Sequence, residues 1–246
     1  MPAIFQIAYD VLLEARRNSF FWLSIFLAIL LVSLFALLSG TNPDFHFDKF
    51  LRNGLSMVWL IHLVLALLIT TETIYGEDER MSIYFYLSRN VDRFSYLVGK
   101  FLGCWSTLLI SLLLSFTVMF IAGGTLVGLI EQIAWSFIFI SLELSLSIAI
   151  IILLSKTFSK LITYFLFLVT LIVSNFIEFI ILKATSSLGF IIASVPSYKY
   201  YSYLELIVDN QFSQIWLYTI ILGLFTIFAS GAILSLANIK FEKQFL

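Results

Sequence analysis

Residues 132–155 read QIAWSFIFISLELSLSIAIIILLS and contain a single charged side chain, Glu143. A helix crosses the bilayer core, about 30 Å thick, with roughly 20 apolar residues, so this stretch predicts a transmembrane helix. Long unbroken apolar runs, in a chain with only three prolines, favour helices over a membrane barrel, whose strands alternate apolar and polar residues. The stretch therefore predicts an all-α membrane protein.

The composition of the whole chain has the same character. Its 246 residues are 61% hydrophobic and 12% charged, with a net charge of -1, whereas soluble domains carry about a quarter charged residues. This composition excludes a soluble globular protein and a disordered chain, and the near-zero charge argues against a nucleic-acid partner. Cys104 is the one cysteine, which excludes a disulfide scaffold and a cysteine-cluster metal site.

Five further segments outside 132–155 are long and apolar enough to span a bilayer, and Glu178 is the only acidic or basic residue among them. The connectors are too short to hold a second domain, so residues 1–246 are predicted to form a single polytopic transmembrane domain. The six predicted spans are 20–38, 54–71, 101–121, 132–155, 161–182 and 215–237.

The distribution of basic residues predicts the orientation. Six spans place both termini on one side, and that side carries ten of the 14 lysine and arginine residues. Because cytoplasmic loops are enriched in lysine and arginine, both termini are predicted to be cytoplasmic. The ten are Arg16, Arg17, Arg80, Arg89, Arg93, Lys100, Lys156, Lys160, Lys240 and Lys243.

Residues 4–17, ahead of the first span, are amphipathic at helical spacing. The polar face consists of Gln6, Asp10, Glu14 and Arg17, and the apolar face of Ile4, Phe5, Ala8, Val11, Leu12 and Ala15. This pattern predicts an N-terminal helix lying in the cytoplasmic membrane interface. A simple anchor for the first span is the alternative interpretation.

Two connectors differ from ordinary loops. The charged connector, Glu72–Lys100, holds eight of the chain's acidic and basic residues between Glu72 and Arg93, and these flank the apolar segment Met81–Leu87. An apolar core with a charged rim is typical of a docking surface; a helix on the membrane surface is the alternative.

The external connector 184–214 is largely apolar, which predicts short helices that re-enter the membrane, although its tyrosines also fit a loop anchored at the interface.

Catalytic motifs are absent from the sequence. It contains no G-x-x-x-x-G-K-[ST], no H-E-x-x-H and no G-x-S-x-G, so no catalytic residues, metal site or cofactor are predicted. Polar side chains within a membrane span cost free energy, so each one is a candidate functional residue. His62, Glu143, Asn175 and Glu178 are such residues, and they fit either a translocation pathway or hydrogen bonds that fix helix packing.

The charged connector contains a spaced set of residues: Glu72, Gly76, Leu87-Ser88-Arg89, Arg93, Tyr96-Leu97 and Gly99-Lys100. This set resembles the signature of type-2 ATP-binding-cassette (ABC) permeases, in which a span ends in an acidic residue and glycine and the next opens with glycine-lysine. The usual proline before Ser88 is missing. The layout also resembles that family, most of all the small six-span permeases of the nitrous-oxide-reductase-maturation and haem-export type.

The resemblance implies a transport subunit in a bacterial-type plasma (inner) membrane. Two permease copies, or this chain and a homologous permease, would form the pathway between spans two and five. Two separate ABC ATPase subunits would bind ATP and Mg. Residues 76–93 would be the coupling helix, with Glu77, Arg80, Arg89 and Arg93 docking the ATPase, and 184–214 would be an outer gate.

Two other classes of protein remain open at the level of sequence. An ion-coupled secondary carrier would use Glu143 and Glu178, although no basic residue lies mid-span to pair with them. A non-transporting assembly factor of a membrane complex is the other. For a permease, a largely apolar pathway suits an amphiphilic substrate, and the resemblance implies export, since the family mostly exports.

Overall fold

The computed structural model describes residues 3–17, 47–79, 91–123, 129–181 and 212–243, together with residues 22, 25, 26, 29, 30 and 33. All regular secondary structure in these residues is helical, which confirms the all-α class. The helices of the continuous ranges are α1 (Ala3–Arg17), α2 (Phe47–Glu79), α3 (Arg93–Gly123), α4 (Leu129–Ser155), α5 (Lys160–Ile181) and α6 (Phe212–Lys243).

Four of these helices are long and apolar enough to cross a bilayer, in the windows Gly54–Gly76, Arg93–Ile121, Glu131–Ser155 and Thr219–Phe241. They coincide with predicted spans two, three, four and six. Their outer faces carry large exposed apolar side chains, such as Ile121 and Phe228, which are 74% and 75% exposed. Such surfaces belong in lipid rather than in water, and the chain is therefore a membrane-embedded protein.

The other two predicted spans lie only partly within the described residues. Span five coincides with α5, whose described side chains from Lys160 to Ile172 form an apolar stretch. Most of span one (20–38) lies outside the described residues, although the residues of it that are described are helical. The external connector 184–214 lies outside them up to Gln211.

Helix α2 is longer than its predicted span. It has 33 residues, about 50 Å at 1.5 Å per residue, and extends beyond the apolar window at both ends. The length of an apolar run corresponds only to the part of a helix that lies in the hydrocarbon core of the membrane. Lysine, arginine and glutamate are good helix formers, so the helix continues into water until Glu79. The first residues of the charged connector are consequently part of the rigid helix.

Helix α4 lies at the centre of the packing. It contacts α2, α3, α5 and α6, and its window is 67% buried, against 22% for the window of α6. Leu144, Ile148 and Ile152 are almost completely buried. The stretch that predicts the membrane class is thus also the element around which the other helices assemble.

Helix α1 packs against the first turns of α3 through two glycines. A Cβ atom built on Gly99 would lie 2.8 Å from Cβ of Ile7, and one on Gly103 would lie 2.6 Å from Cβ of Val11. Residues 99–103 form a G-x-x-x-G pattern, which lets two helix backbones approach closely. The G-x-x-x-G pattern is the sequence signal for the position of α1. It is easily missed because Gly99 also belongs to the Gly99-Lys100 pair of the permease-like set of residues.

The helix predicted at the N-terminus is present, but its apolar face is divided. Ile7 and Val11 are buried against α3, whereas Phe5 and Tyr9 are 60% and 59% exposed. The prediction placed Phe5 with Val11 on one face. A helix that packs on a single partner buries only a narrow stripe, so Phe5 falls on a second apolar strip that faces away from α3.

Gly103→Ala is expected to destabilise the protein by about 1–3 kcal/mol, since overpacking must push α1 away from α3. Thermal unfolding in detergent micelles measures this effect as a lower Tm. The matched control is Gly231→Ala in α6, where nothing lies within 4 Å of an added Cβ and alanine favours the helix by about 0.5–1 kcal/mol. Equal Tm values for the two variants would contradict the contact.

Candidate functional site

Two regions of the described structure contain the polar contacts that join different helices. One is the buried interface between α2, α3 and α4. The other, here called the turn junction, surrounds the turn Lys156–Ser159 between α4 and α5 and includes the ends of α2, α3 and α6 that contact it. The two regions contain the described site residues predicted from the sequence.

Glu143 lies in the first region, fully buried at the middle of α4. The indole Nε1–H of Trp59, on α2, donates a hydrogen bond to its Oε2 atom. Its Oε1 atom and the hydroxyl of Ser147, one turn further along α4, have no hydrogen-bond partner among the described residues. Buried polar atoms without partners are costly in hydrocarbon, so the Trp59–Glu143 bond is the contact that holds this carboxyl in place.

His62, also fully buried, connects α2 to α3. Its Nδ1 atom lies 2.7 Å from the carbonyl oxygen of Val58, and its Nε2 atom lies 3.3 Å from the hydroxyl of Ser111. Because a carbonyl only accepts, Nδ1 carries the proton, and Nε2 accepts from Ser111. Sequence reasoning misses this pair because its members are 49 residues apart in the chain.

A serine next to a histidine base is also the arrangement of a nucleophile. Here Ser111 lies inside α3, where backbone N–H groups are used by the helix. Within α3, no backbone N–H close to the hydroxyl is left to stabilise an oxyanion, which acyl transfer requires. The geometry therefore favours a hydrogen bond that ties α2 to α3.

In the turn junction, four polar contacts join α2 to the α4–α5 turn and to α5. The Glu72 carboxylate lies 2.6 Å from Nζ of Lys160. The Tyr75 hydroxyl donates to the carbonyl of Phe158 at 2.6 Å and lies 2.9 Å from the hydroxyl of Thr163. The hydroxyls of Thr71 and Tyr164 are 3.0 Å apart. These contacts lie in the last turns of α2, just ahead of the most charged part of the connector.

On the other side of the turn, cations surround the buried ring of Phe241, near the end of α6. Nζ of Lys156 lies 4.8 Å from its centroid and the guanidinium of Arg93 5.9 Å, and the ring of Tyr96 stacks on it at 6.0 Å. Lys100 lies 5.8 Å from the ring of Tyr96. Cations are attracted to aromatic faces, more strongly where water is excluded, and Lys100 and Lys156 are only 1% and 2% exposed.

Of the predicted docking residues, Arg93 is placed by the structure in the turn junction. Glu77 belongs to the last turn of α2, and its side chain is outside the described set, as are Arg80 and Arg89 entirely. Asn175 and Glu178 belong to α5, but their side chains are also outside it. Within the described part of the chain, no three His, Cys, Asp or Glu residues are grouped so as to hold a metal ion.

Asp92 caps α3 within the charged connector. Its carboxylate accepts a hydrogen bond from the backbone N–H of Ser95 at 3.0 Å, in the manner of a helix N-cap. Hydrogen bonds from the Ser95 side chain and backbone hold the pKa of Asp92 below its ordinary value. The cap therefore fixes the residue at which α3 starts.

Comparisons with known proteins do not assign the chain. No protein-family model and no curated protein matches it. Its function is therefore inferred from the two polar regions and from the residues of the charged connector.

Trp59→Phe is expected to lower the free energy of unfolding by about 1–3 kcal/mol, because it leaves both oxygens of a buried carboxyl without a donor. Trp105→Phe is the matched control, since Trp105 donates only to the backbone carbonyl of Ser141, at 3.0 Å. That carbonyl keeps its own helical hydrogen bond. Tm values in micelles compare the variants, and a larger loss for Trp105→Phe would contradict a packing role for Glu143.

Asp92→Ala is expected to cost about 1 kcal/mol, the usual value of an N-cap, whereas Asp92→Asn retains an accepting oxygen. A carboxyl whose folded pKa is lowered stabilises the protein above its unfolded pKa, and this part is lost as the pH falls through the folded pKa. The difference between wild type and Asp92→Ala should accordingly shrink in acid. Tm measured from neutral to acidic pH tests this, and a difference that grows in acid would contradict the capping carboxylate.

Proposed function

We propose that this protein is the permease subunit of an ABC transporter of the type-2 class. Two copies, or this chain and a homologous permease, form the pathway, and two separate ATPase subunits bind at the coupling segment, residues 76–93. The chain itself has no enzymatic activity. ATP and Mg belong to the partner, and the transported molecule is an amphiphile that is exported across a bacterial-type plasma membrane.

The observation that carries the proposal is the continuity between the coupling segment and the bundle. Helix α2 passes from the apolar window through Gly76 to Glu79 without a break, and α3 begins at Arg93. Both helices pack on α4. A force applied to the coupling segment therefore acts on two spans directly, as a transporter driven by a separate motor requires.

The signature residues after the segment support the same proposal. Tyr96, Leu97 and Lys100 are at most 1% exposed, and Gly99 contacts Ile7 of α1. Tyr96 stacks on Phe241 of α6 and Gly99 packs on α1, so these two residues attach the start of α3 to neighbouring helices. The motif thus has a physical role that suits a coupling segment, since a segment transmits force only if its ends are firmly attached.

The remaining features of the proposal follow the predicted six-span layout. Both termini and the coupling segment lie in the cytoplasm, with α1 along the interface, where Phe5 and Tyr9 face lipid. Spans two and five line the pathway between the two permeases, and residues 184–214 form re-entrant helices that gate it from outside. Glu143 lies between α2 and α4, so in this arrangement it stabilises the bundle.

One observation favours a second candidate, an ion-coupled secondary carrier. Glu143 is a fully buried acid with an oxygen that has no partner among the described residues, and such residues mark ion pathways in transporters. Ion flux into proteoliposomes under a proton or sodium gradient distinguishes the secondary carrier from the ABC permease. Ion flux through the purified chain that is lost in Glu143→Gln, with Tm unchanged, would establish the carrier.

Reversing charge in the coupling segment is expected to reduce recovery of the ATPase when the tagged permease is purified from its native membranes. The variant is Arg80→Glu combined with Arg89→Glu, and the expected loss is tenfold or more, about 1.4 kcal/mol or more of binding free energy. Lys240→Glu is the control, because Lys240 is an exposed basic residue near the end of α6. The co-purified protein must contain a G-x-x-x-x-G-K-[ST] loop and hydrolyse ATP.

Two results would contradict this proposal. One is recovery of the ATPase by the double variant at the same level as by wild type and by the control Lys240→Glu. The other is ATP hydrolysis by the purified permease without a partner, since the sequence contains no phosphate-binding loop.

A further inference from the structure

The turn between α4 and α5 contacts the residues of α2 that precede the coupling segment, and it shares the ring of Phe241 with Arg93, the last residue of the segment. On one side it meets α2 in the residues that precede the segment. Tyr75, adjacent to Gly76, donates to the carbonyl of Phe158 within the turn, and Glu72 pairs with Lys160, the first residue of α5, at 2.6 Å. The entry to the coupling segment is therefore joined to the turn by a hydrogen bond and an ion pair.

On the other side, the turn meets the exit of the coupling segment through Phe241. Lys156, the first residue of the turn, and Arg93, the last of the segment, both lie over this ring, at 4.8 Å and 5.9 Å from its centroid. The ring is 1% exposed. Phe241 is thus shared between the turn and the exit, and it connects both to α6.

The turn itself is short and internally bonded. The N–H of Thr157 and the N–H of Phe158 both donate to the carbonyl of Leu154, at 3.0 Å and 2.9 Å, and the N–H of Thr163 donates to the carbonyl of Ser159 at 2.9 Å. These hydrogen bonds leave the backbone of the turn little conformational freedom. A displacement that reaches it moves the ends of α4 and α5 together instead of being absorbed.

We propose that the turn Lys156–Ser159 is a second transmission element, which passes movement of the coupling segment to α4 and α5 through the Glu72–Lys160 and Tyr75–Phe158 contacts on one side and Phe241 on the other. This inference rests on the proposed function, and it assigns Glu72, Tyr75, Lys160 and Phe241 as positioning residues. Without the turn, the segment acts directly on α2 and α3 only, and it reaches α4 only through the packing of these two helices on it. With it, the central helix and α5 move as well.

The test uses the whole permease–ATPase complex, with Thr157, an exposed residue of the turn, replaced by cysteine in a Cys104→Ala background. Maleimide labelling of position 157 is measured with and without MgATP. Glu72→Lys reverses one half of the ion pair and is expected to reduce the ATP-dependent change in labelling roughly threefold or more, within the range for residues that alter coupling without touching either ligand. The double variant Glu72→Lys with Lys160→Glu restores the pair and is expected to restore the change.

Tyr75→Phe is a milder variant that keeps the ring and removes only the hydroxyl, so folding is preserved; it is expected to reduce the labelling change in the same direction. ATPase recovery is measured in every sample. If the ATPase is recovered normally and labelling responds to MgATP equally in wild type, Glu72→Lys and Tyr75→Phe, the transmission role is overturned while the proposed function stands. If wild type recovers no ATPase, the proposed function fails and the transmission role fails with it.

Discussion

Enclosure of α4 by its neighbours is the constraint on which the rest of the structure depends. A helix in hydrocarbon satisfies its own backbone but leaves polar side chains without water, and α4 carries several, including Gln132, Ser136 and Glu143, all at most 4% exposed. These side chains are tolerated only where protein covers them. The neighbouring helices provide that cover, and Trp59 provides a donor for the carboxyl. The polar groups therefore help to select the partners of α4, whereas apolar side chains alone would gain little from exchanging lipid for protein.

The sequence predicts the helices better than it predicts their contacts. Apolar runs locate the helices because each must match the thickness of the hydrocarbon, a local requirement. The helix ends in water are set by capping and by helix propensity, which explains why α2 continues to Glu79 and α3 starts after Asp92. Pairs such as His62 with Ser111, or Glu72 with Lys160, depend on which helices become neighbours, and a single sequence carries no direct signal for that. The G-x-x-x-G pattern at 99–103 is the exception, since it marks a close helix contact by composition alone.

The predicted site residues divide in the same way. Arg93 is a candidate from sequence because it belongs to a dense group of charges. The structure adds that it lies over Phe241, a residue near the end of α6 that charge patterning does not indicate. Glu143 is a candidate because it is a charge within a span, and its hydrogen bond to Trp59 places it at a helix interface. Charge identifies candidate residues from sequence, but aromatic partners become visible only in the fold, because an aromatic residue in a membrane protein is unremarkable by composition.

The buried cations of the turn junction show how charged side chains are accommodated where the helices α3, α4 and α6 meet. Lys100 and Lys156 are almost fully buried, and removal of such charges from water is expensive unless the surroundings stabilise them. Aromatic faces attract such cations, and the ring of Phe241 does so for Lys156, whereas the ion pair between Glu72 and Lys160 joins two particular groups. The turn junction thus holds the α4–α5 turn to α2 by an ion pair and a hydrogen bond and to α6 by the ring of Phe241.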